Sequence, residues 1–577
     1  LADVPPETRY LYRLSYSDGT FRDRPDPASR YQPEGVHQPS QIMTDDHPWR
    51  DAGWRGLPLS RYVIYELHVG TFSRQGTFEG IIPHLDDLAD LGVSALELMP
   101  VAQFPGARNW GYDGVYPFAV QNSYGGPTGL KRLVEACHRR GLAVVLDVVY
   151  NHLGPEGNYL RDFAPYFTDF YRTPWGEALN FDGPGSDHVR SFFAANALMW
   201  LEQFHIDALR LDAVHAICDF SARPFLEELA RTLHQRAAEL DRRFYLIAES
   251  ALNDTRIIRS RELGGFALDA QWNDDFHHSL HCALTGERSG YYRDFDGLAD
   301  LACAWREGYV FQGQYSRFRQ RGHGNSSRNI PARRLVVCAQ NHDQVGNRML
   351  GERIGALVSF EQQKLAAAVV LLSPFIPLIF MGEEYGEPAP FLYFVNHSES
   401  GLVQAVREGR RREFAAFDWD REPPDPQAED TFLNSRLDHA LESRGRHRIL
   451  RGFYCSLLEL RRTLPALAHL SKKSQQVYCD SRRRLLWVRR RRGSESVLLI
   501  FNFSDQAGKF AIDPPAGTWR KVLDSADLCW NGPGSAVPQL LGSRTPLDLR
   551  LTPHSVILFS QNPASGAAQQ AQEGEWE

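Results

Sequence analysis

The chain has 577 residues, with 64 Lys plus Arg against 71 Asp plus Glu and a net charge of −7. At about 150 residues per domain it holds two to four domains with a sizeable core, which excludes a single small module, and the mild acidity excludes nucleic acid as the main partner. Aromatic residues make up 12%, a supply of flat apolar faces for a core or for stacking on sugar rings, and the eight widely spaced cysteines form no CxxC pair or disulfide framework, as expected of reduced thiols in a cytoplasmic enzyme.

The first residues show no secretory signal, and the missing initiator Met reads as a fragment or a processed form. Residues 9–43 alternate apolar and polar and then become Pro-rich, a hairpin followed by a linker. Residues 1–50 are read as the remnant of an N-terminal β-sandwich, with a long N-terminal arm as the alternative. From residue 61 the pattern changes to buried apolar runs at 63–67, 95–99, 144–149, 208–211, 244–248, 266–268, 335–339 and 378–380. Between them lie amphipathic helices. Phe78, Ile81, Ile82, Leu85 and Leu88 share one face, and Leu130, Leu133, Val134 and Cys137 share another before Gly141 ends the helix. Strand and helix alternating eight times predict an α/β fold, a (β/α)8 TIM barrel over 51–465. No Gly-rich phosphate fingerprint follows the first strand to favour a doubly wound sheet.

Three stretches are too long for plain connections: 150–188, 286–330 and 386–446. On a barrel, insertions after strands fall on the face where chemistry occurs. The uncharged stretch 365–382 contains Ser373, Pro374 and Pro377, so it reads as a core helix running into a strand and not as a membrane span. Residues 447–464 would form the last barrel helix, 466–560 a C-terminal antiparallel β domain, and 561–577 a disordered tail. The basic run 489–492 reads as a solvated hairpin tip in preference to an anion site.

The strand ends carry the polar groups. Asp147, Asn151 and His152 follow strand three; Asp207, Arg210, Asp212 and His215 lie on or after strand four; Glu249 follows strand five; DAQWNDDFHH follows strand six; Asn341, His342 and Asp343 follow strand seven. Any one alone has a bland reading as a helix cap, a salt-bridge partner or a satisfied core group. Arg210 and Asp212 are two apart on a strand and face the same side, so the guanidinium favours an ionised carboxylate. Glu249 follows the apolar run FYLIA, which raises a carboxyl pKa and keeps it protonated. One ionised and one protonated carboxyl are what glycosidic cleavage needs, and Asp343 beside His342 supplies a third. Neither HExxH nor an EF-hand loop is present, so no metal and no cofactor is expected; a structural calcium held by Asn151 and loop 150–188 is the competing reading.

These segments, in this order, resemble the motif regions of the α-amylase family of glycoside hydrolases over residues 61–465. The resemblance implies Asp212 as nucleophile, Glu249 as general acid/base and Asp343 as the transition-state-stabilising carboxylate. It also implies substrate contacts from Trp110 and Tyr112 in NWGYDG, from His152, Arg210, His215 and His342, and from Asp274 and Asp275 in WNDDFHH. Asp147 and Asn151 look structural. Within that family YELHVGTF, YNHLGPEGNYL, AESALND, EGRRREF and PDPQAEDTFLNS are similar to the trehalose-releasing hydrolases. That likeness implies retaining hydrolysis of the α-1,4 bond next to the terminal trehalose of maltooligosyltrehalose, with a maltooligosyltrehalose synthase as a second partner. Many amylases have Lys-His shortly after the nucleophile; this chain has AVHAI, with only His215, which suggests a changed leaving-group side. The alternatives are a glucan branching transferase, a general α-glucan hydrolase and an inert glucan-binding protein. The last predicts loss of a carboxylate, and all three are present.

Overall fold

The computed structural model describes residues 4–414, 422–512, 517–542 and 547–561. Eight parallel strands close into a barrel: β1 Ile64–Leu67, β2 Ala95–Leu98, β3 Ala143–Val148, β4 Ala208–Leu211, β5 Tyr245–Ala248, β6 Ala270–Trp272, β7 Leu335–Cys338 and β8 Ile376–Phe380. Each strand pairs with its sequence neighbours, and β8 returns to β1.

Strand periodicity sorts the side chains into two sets. Outward residues such as Leu96, Leu98, Val144, Leu146, Leu209 and Leu211 join the large core shared with the helices. Inward ones fill the barrel in layers. The lower layer is apolar (Ile64, Ala95, Val145, Ala208 and Ile247), and two residues further along the same strands, on the same parity, come the polar groups Glu66, Glu97, Asp147, Arg210 and Glu249. Register places Arg210 beside Asp147 across the β3–β4 pair. The barrel mouth is therefore charged because strand parity turns these residues inward.

The predicted first helix is broken into Phe78–Ile81, a 3-10 turn Ile82–His84 carrying Pro83, and Leu85–Leu91, while the second runs Gly126–His138 with Leu130, Leu133, Val134 and Cys137 buried. Helix Phe360–Leu371 leads into buried β8, and helix Gly445–Thr463 buries Leu450, Phe453, Tyr454, Leu457 and Leu458 against the barrel. Among the described residues, no helix is long and apolar enough to cross a membrane. All eight cysteines are free thiols.

Two expectations need correction. The sixth strand is Ala270–Trp272 and not 266–268, because Ala267 has a left-handed φ of 62° and residues 266–268 donate their N–H groups to the turn at Arg256, Ile257 and Arg259. The polar Gln271 hid the true strand from a search for apolar runs. The basic run 489–492 does lie at a hairpin end, but Arg490 is fully buried and donates to the carbonyls of Leu372, Leu467 and His469, fastening the C-terminal sheet to the barrel.

That C-terminal sheet has six antiparallel strands, from Gln475–Asp480 to Ser555–Gln561, with a second pair formed by Gly508–Ile512 and Leu547–Leu551. The expected tail beyond Gln561 lies outside the described residues. At the other end, Arg9–Tyr10 pairs with Ser40–Gln41, and Tyr12–Ser15 forms a hairpin with Phe21–Arg24. The long connection after β3 carries a hairpin, Phe167–Thr173 with Gly176–Leu179, and the one before β7 carries helix Leu298–Glu307 and the pair Tyr315–Ser316 with Arg321–Gly322.

Candidate active site

The guanidinium of Arg210, fully buried, is the hub of the mouth. Nη1 donates to Asp212 Oδ1 at 2.7 Å and to Asp147 Oδ2 at 2.9 Å, while Nη2 lies 3.9 Å from Glu249 Oε2. Its flat face rests on Trp272 from β6, 4.4 Å from the ring centroid, so the cation is held on both edge and face.

The two flanking carboxyls are driven apart. Burial pushes Asp212 up, but the Arg210 charge, His152 and the donated bonds from Asn151 and Arg210 outweigh it and hold the group below the usual carboxylate range. Glu249 is pushed up to about 8 by burial, against the pull of Arg210 and with Asp212, Asp274 and Asp343 adding to the rise. Backbone geometry fixes their relation. After β4 the chain turns through Ala213 in a left-handed conformation, and its N–H donates to Glu249 Oε2 at 2.6 Å.

A second set of contacts runs behind Asp212. Tyr112 donates its hydroxyl to Asp147 at 2.7 Å and lies at the same distance from His342 Nε2, with the two rings stacked. His342 Nδ1 meets Glu66 Oε1 at 2.5 Å, and Asp343 and Glu66 raise the imidazole to about 9 although burial opposes them. His152 touches Asn151 Oδ1 and the Tyr112 carbonyl, and Trp175, at the tip of the hairpin after β3, covers it ring on ring. Asp343, 40% exposed, follows His342 in the short helix His342–Gly346 that Asn341 caps by accepting from Gln344 N. This arrangement sets a cationic hub among one ionised carboxylate, one protonated carboxyl and one open carboxylate, with aromatic rings around them.

Residues 55–197 match the family model "Alpha amylase, catalytic domain", and residues 473–558 match a "Domain of unknown function (DUF3459)". A Malto-oligosyltrehalose trehalohydrolase of Saccharolobus solfataricus is 51% identical over 80% of this chain and 79% of its own length. Proteins of that name from Rhizobium sp. and Mycobacterium tuberculosis are 46% and 45% identical, over 91% and 85% of this chain and 88% and 85% of theirs. The chain belongs to the malto-oligosyltrehalose trehalohydrolase family. A solved structure from Salmonella typhimurium assigned as an alpha amylase is 37% identical, with a TM-score of 0.85 over 97% of this chain and 92% of its own. A pullulanase from Anoxybacillus, 18% identical with a TM-score of 0.68 over 96% of this chain and 79% of its own, shares the fold.

In this member of the trehalohydrolase family most of the residues singled out from sequence converge on the mouth: Tyr112, His152, Arg210, Asp212, Glu249, Asp274, His342 and Asp343. Asp274 opens helix Asp274–Thr285 and is raised to about 7 by burial and by the Asp343 and Asp275 charges. His215 stands exposed in the 3-10 turn Val214–Ala216 just after the Asp212 turn. Two residues are placed differently from expectation. Trp110 is buried behind His342, stacked on Phe391 with its indole N–H spent on the Leu392 carbonyl, so it supports the site and does not line it. Asp275 points the other way along its helix and accepts from Val310 N, Phe311 N and Asn253, an anchor for the loop before β7.

Sequence reading missed Glu66, Trp272 and Trp175. Glu66 carried a usable signal, a charged residue in the middle of the buried run VIYEL. Trp272 was hidden by the misplaced sixth strand. Trp175 sits in an insertion with no periodicity, where only the fold reveals that the hairpin reaches His152.

Proposed function

We propose that this chain hydrolyses the α-1,4 bond next to the terminal trehalose of maltooligosyltrehalose, releasing trehalose with retained configuration at the anomeric carbon. The observation that carries the chemistry is the pair Asp212 and Glu249 on one guanidinium, the first held ionised and the second held protonated at neutral pH. Trehalose as leaving group is supported by the relatives named Malto-oligosyltrehalose trehalohydrolase that span most of the chain.

Asp212 attacks the anomeric carbon while Glu249 gives its proton to the bridging oxygen, so trehalose departs neutral. Glu249, now ionised, takes a proton from water, which displaces Asp212 and regenerates both groups. Asp343 stabilises the positive charge that develops on the sugar ring. Tyr112, His152 and the His342 imidazolium orient that sugar, and His215 and Asp274 face the departing unit. The catalytic unit is residues 51–465, followed by the β domain at 466–560. We place the reaction in the cytoplasm, fed by a maltooligosyltrehalose synthase, in keeping with eight free thiols.

Incubation with maltotriosyl-trehalose and, separately, with maltopentaose tests the reading. Free trehalose from the first and little cleavage of the second is the expected result. Equal cleavage of both would reduce the enzyme to a general α-glucan hydrolase, and new α-1,6 branches without new reducing ends would make it a transferase.

A further inference from the structure

The motif EGRRREF lies on helix Ser400–Phe414, in the long connection after β8, and nothing in the mechanism above uses it. Its Arg410 is 12% exposed, with the guanidinium over Tyr393, 4.8 Å from the ring centroid, and paired with Glu413 at 2.8 Å. From there it reaches the segment that carries Asp343. Nη2 donates to the Gly346 carbonyl at 3.0 Å, and Nη1 donates to Asn347 Oδ1 at 3.2 Å. Asn347 Nδ2 in turn donates to Asp343 Oδ1 at 3.3 Å.

The order of atoms in this chain matters. Arginine carries only donors, so the face of Asn347 turned to Arg410 has to be the carbonyl oxygen, and the amide nitrogen is then left facing Asp343. Without Arg410 the amide can turn over and set its oxygen against the carboxylate. The same helix end is held by a second surface. A Cβ on Gly346 would lie 2.1 Å from the Trp110 ring, and Tyr393 packs edge-on against Trp110 at 5.1 Å. The short helix is thus gripped between the NWGYDG segment and the EGRRREF helix, two motifs far apart in sequence. Asp343 needs such support, since among the described residues its carboxylate meets this amide and His342 Nε2 at 3.5 Å.

We propose that Arg410 is a positioning residue that fixes the Asp343 carboxylate through the orientation of Asn347. The proposal rests on the reading of Asp343 as the transition-state-stabilising group. A carboxylate that acts on the transition state and is misplaced by a fraction of an ångström lowers kcat and leaves substrate binding nearly intact.

The test compares R410A, R410K, N347D and D343N in the full chain, with maltotriosyl-trehalose as substrate. R410A should lose about 10- to 100-fold in kcat with KM and Tm little changed, and millimolar guanidinium should restore part of the loss. R410K, which keeps a donor toward Asn347 Oδ1, should retain more activity than R410A. N347D, which sets a second carboxylate against Asp343, should lose activity at neutral pH and recover part of it as pH falls and the introduced acid takes up a proton and becomes a donor. Wild-type kcat in R410A beside an inactive D343N would overturn the clamp alone. Full activity in D343N would overturn the reading of Asp343 and the clamp with it. If R410A does not fold, the N347D pH profile decides, and a profile identical to wild type overturns the proposal.

Discussion

Ala213 donates its backbone N–H to Glu249 Oε2 at 2.6 Å, and it does so from a left-handed φ of 39° on the residue next to Asp212. The chain reinforces the turn from both sides, with Glu249 N donating to the Leu211 carbonyl and Val214 N to the Glu249 carbonyl, each at 3.0 Å. One strained residue thus sets the carboxyls of Asp212 and Glu249 relative to each other. A β-branched residue resists this conformation, at a cost of about 1–3 kcal/mol. Ala213→Val should therefore lower both kcat and Tm, whereas Ala213→Gly, free of that strain, should keep Tm at or above wild type; melting curves and steady-state kinetics on the two variants check this.

The pH profile follows from the separated carboxyls. Asp212, held below the usual carboxylate range, keeps kcat/KM high well into acid, and Glu249 loses its proton as pH rises through about 8 and takes the alkaline limb down with it. The neighbouring Asp274 charge raises Glu249, so its removal acts in a definite direction. Asp274→Asn should shift the alkaline limb to lower pH, and an unchanged limb would show that Glu249 does not feel that group. Glu249→Gln should lose about 10²–10⁴-fold in kcat across the whole range.

Trp175 covers His152 with ring centroids 4.6 Å apart and planes 4° from parallel, and its side chain is 49% exposed at the hairpin tip. Stacked aromatic pairs contribute about 0.5–1.5 kcal/mol beyond area burial. Trp175→Ala should free His152 to turn and should raise KM for the glucan chain several-fold more than it lowers kcat. A fall in kcat at unchanged KM would assign the hairpin to transition-state support instead.

At the closed end of the barrel, His138 is sealed between Asp51 and Asp207 at 2.7 and 2.9 Å, with Trp54 stacked on its ring. Burial lowers the imidazole pKa, but the two carboxylates outweigh it and raise the group. Asp51 is depressed by His138 and His205 in spite of its burial. The signs are opposite. The His138 contribution is complete below the ordinary histidine pKa near 6.5 and fades as pH rises through the raised value; the Asp51 contribution is complete above the ordinary aspartate pKa and fades as pH falls. His138→Gln removes the cation shared by the two buried carboxylates, leaving Asp51 its contact with His205 at 2.9 Å and Asp207 the Arg242 guanidinium at 3.6 Å, and should destabilise the fold by up to about 3–5 kcal/mol near pH 6, with a smaller difference in alkali. Chemical denaturation at the two pH values measures it.

The barrel was legible because seven of its strands are apolar runs and the helices between them keep their period; the sixth strand was lost because Gln271 breaks the run and Phe266 and Leu268 mimic one. The carboxylates were legible for a related reason, since strand parity turns Arg210 and Asp212 to one side. Parity says nothing about residues on loops. Trp110 was read as lining the site when it supports it, and Asp275 was grouped with Asp274 when helical rotation sends the two side chains to different places. Arg410 and Asn347, 63 residues apart in sequence, meet only because two loops fold over the same mouth.

The most direct test is a proton NMR time course of maltotriosyl-trehalose hydrolysis, which reports product and stereochemistry together. Trehalose should appear in step with maltotriose whose new reducing end is first the α-anomer and reaches the α/β equilibrium only later. First appearance of the β-anomer would contradict the roles given to Asp212 and Glu249, and cleavage at bonds remote from the trehalose end would contradict the assignment of the leaving group.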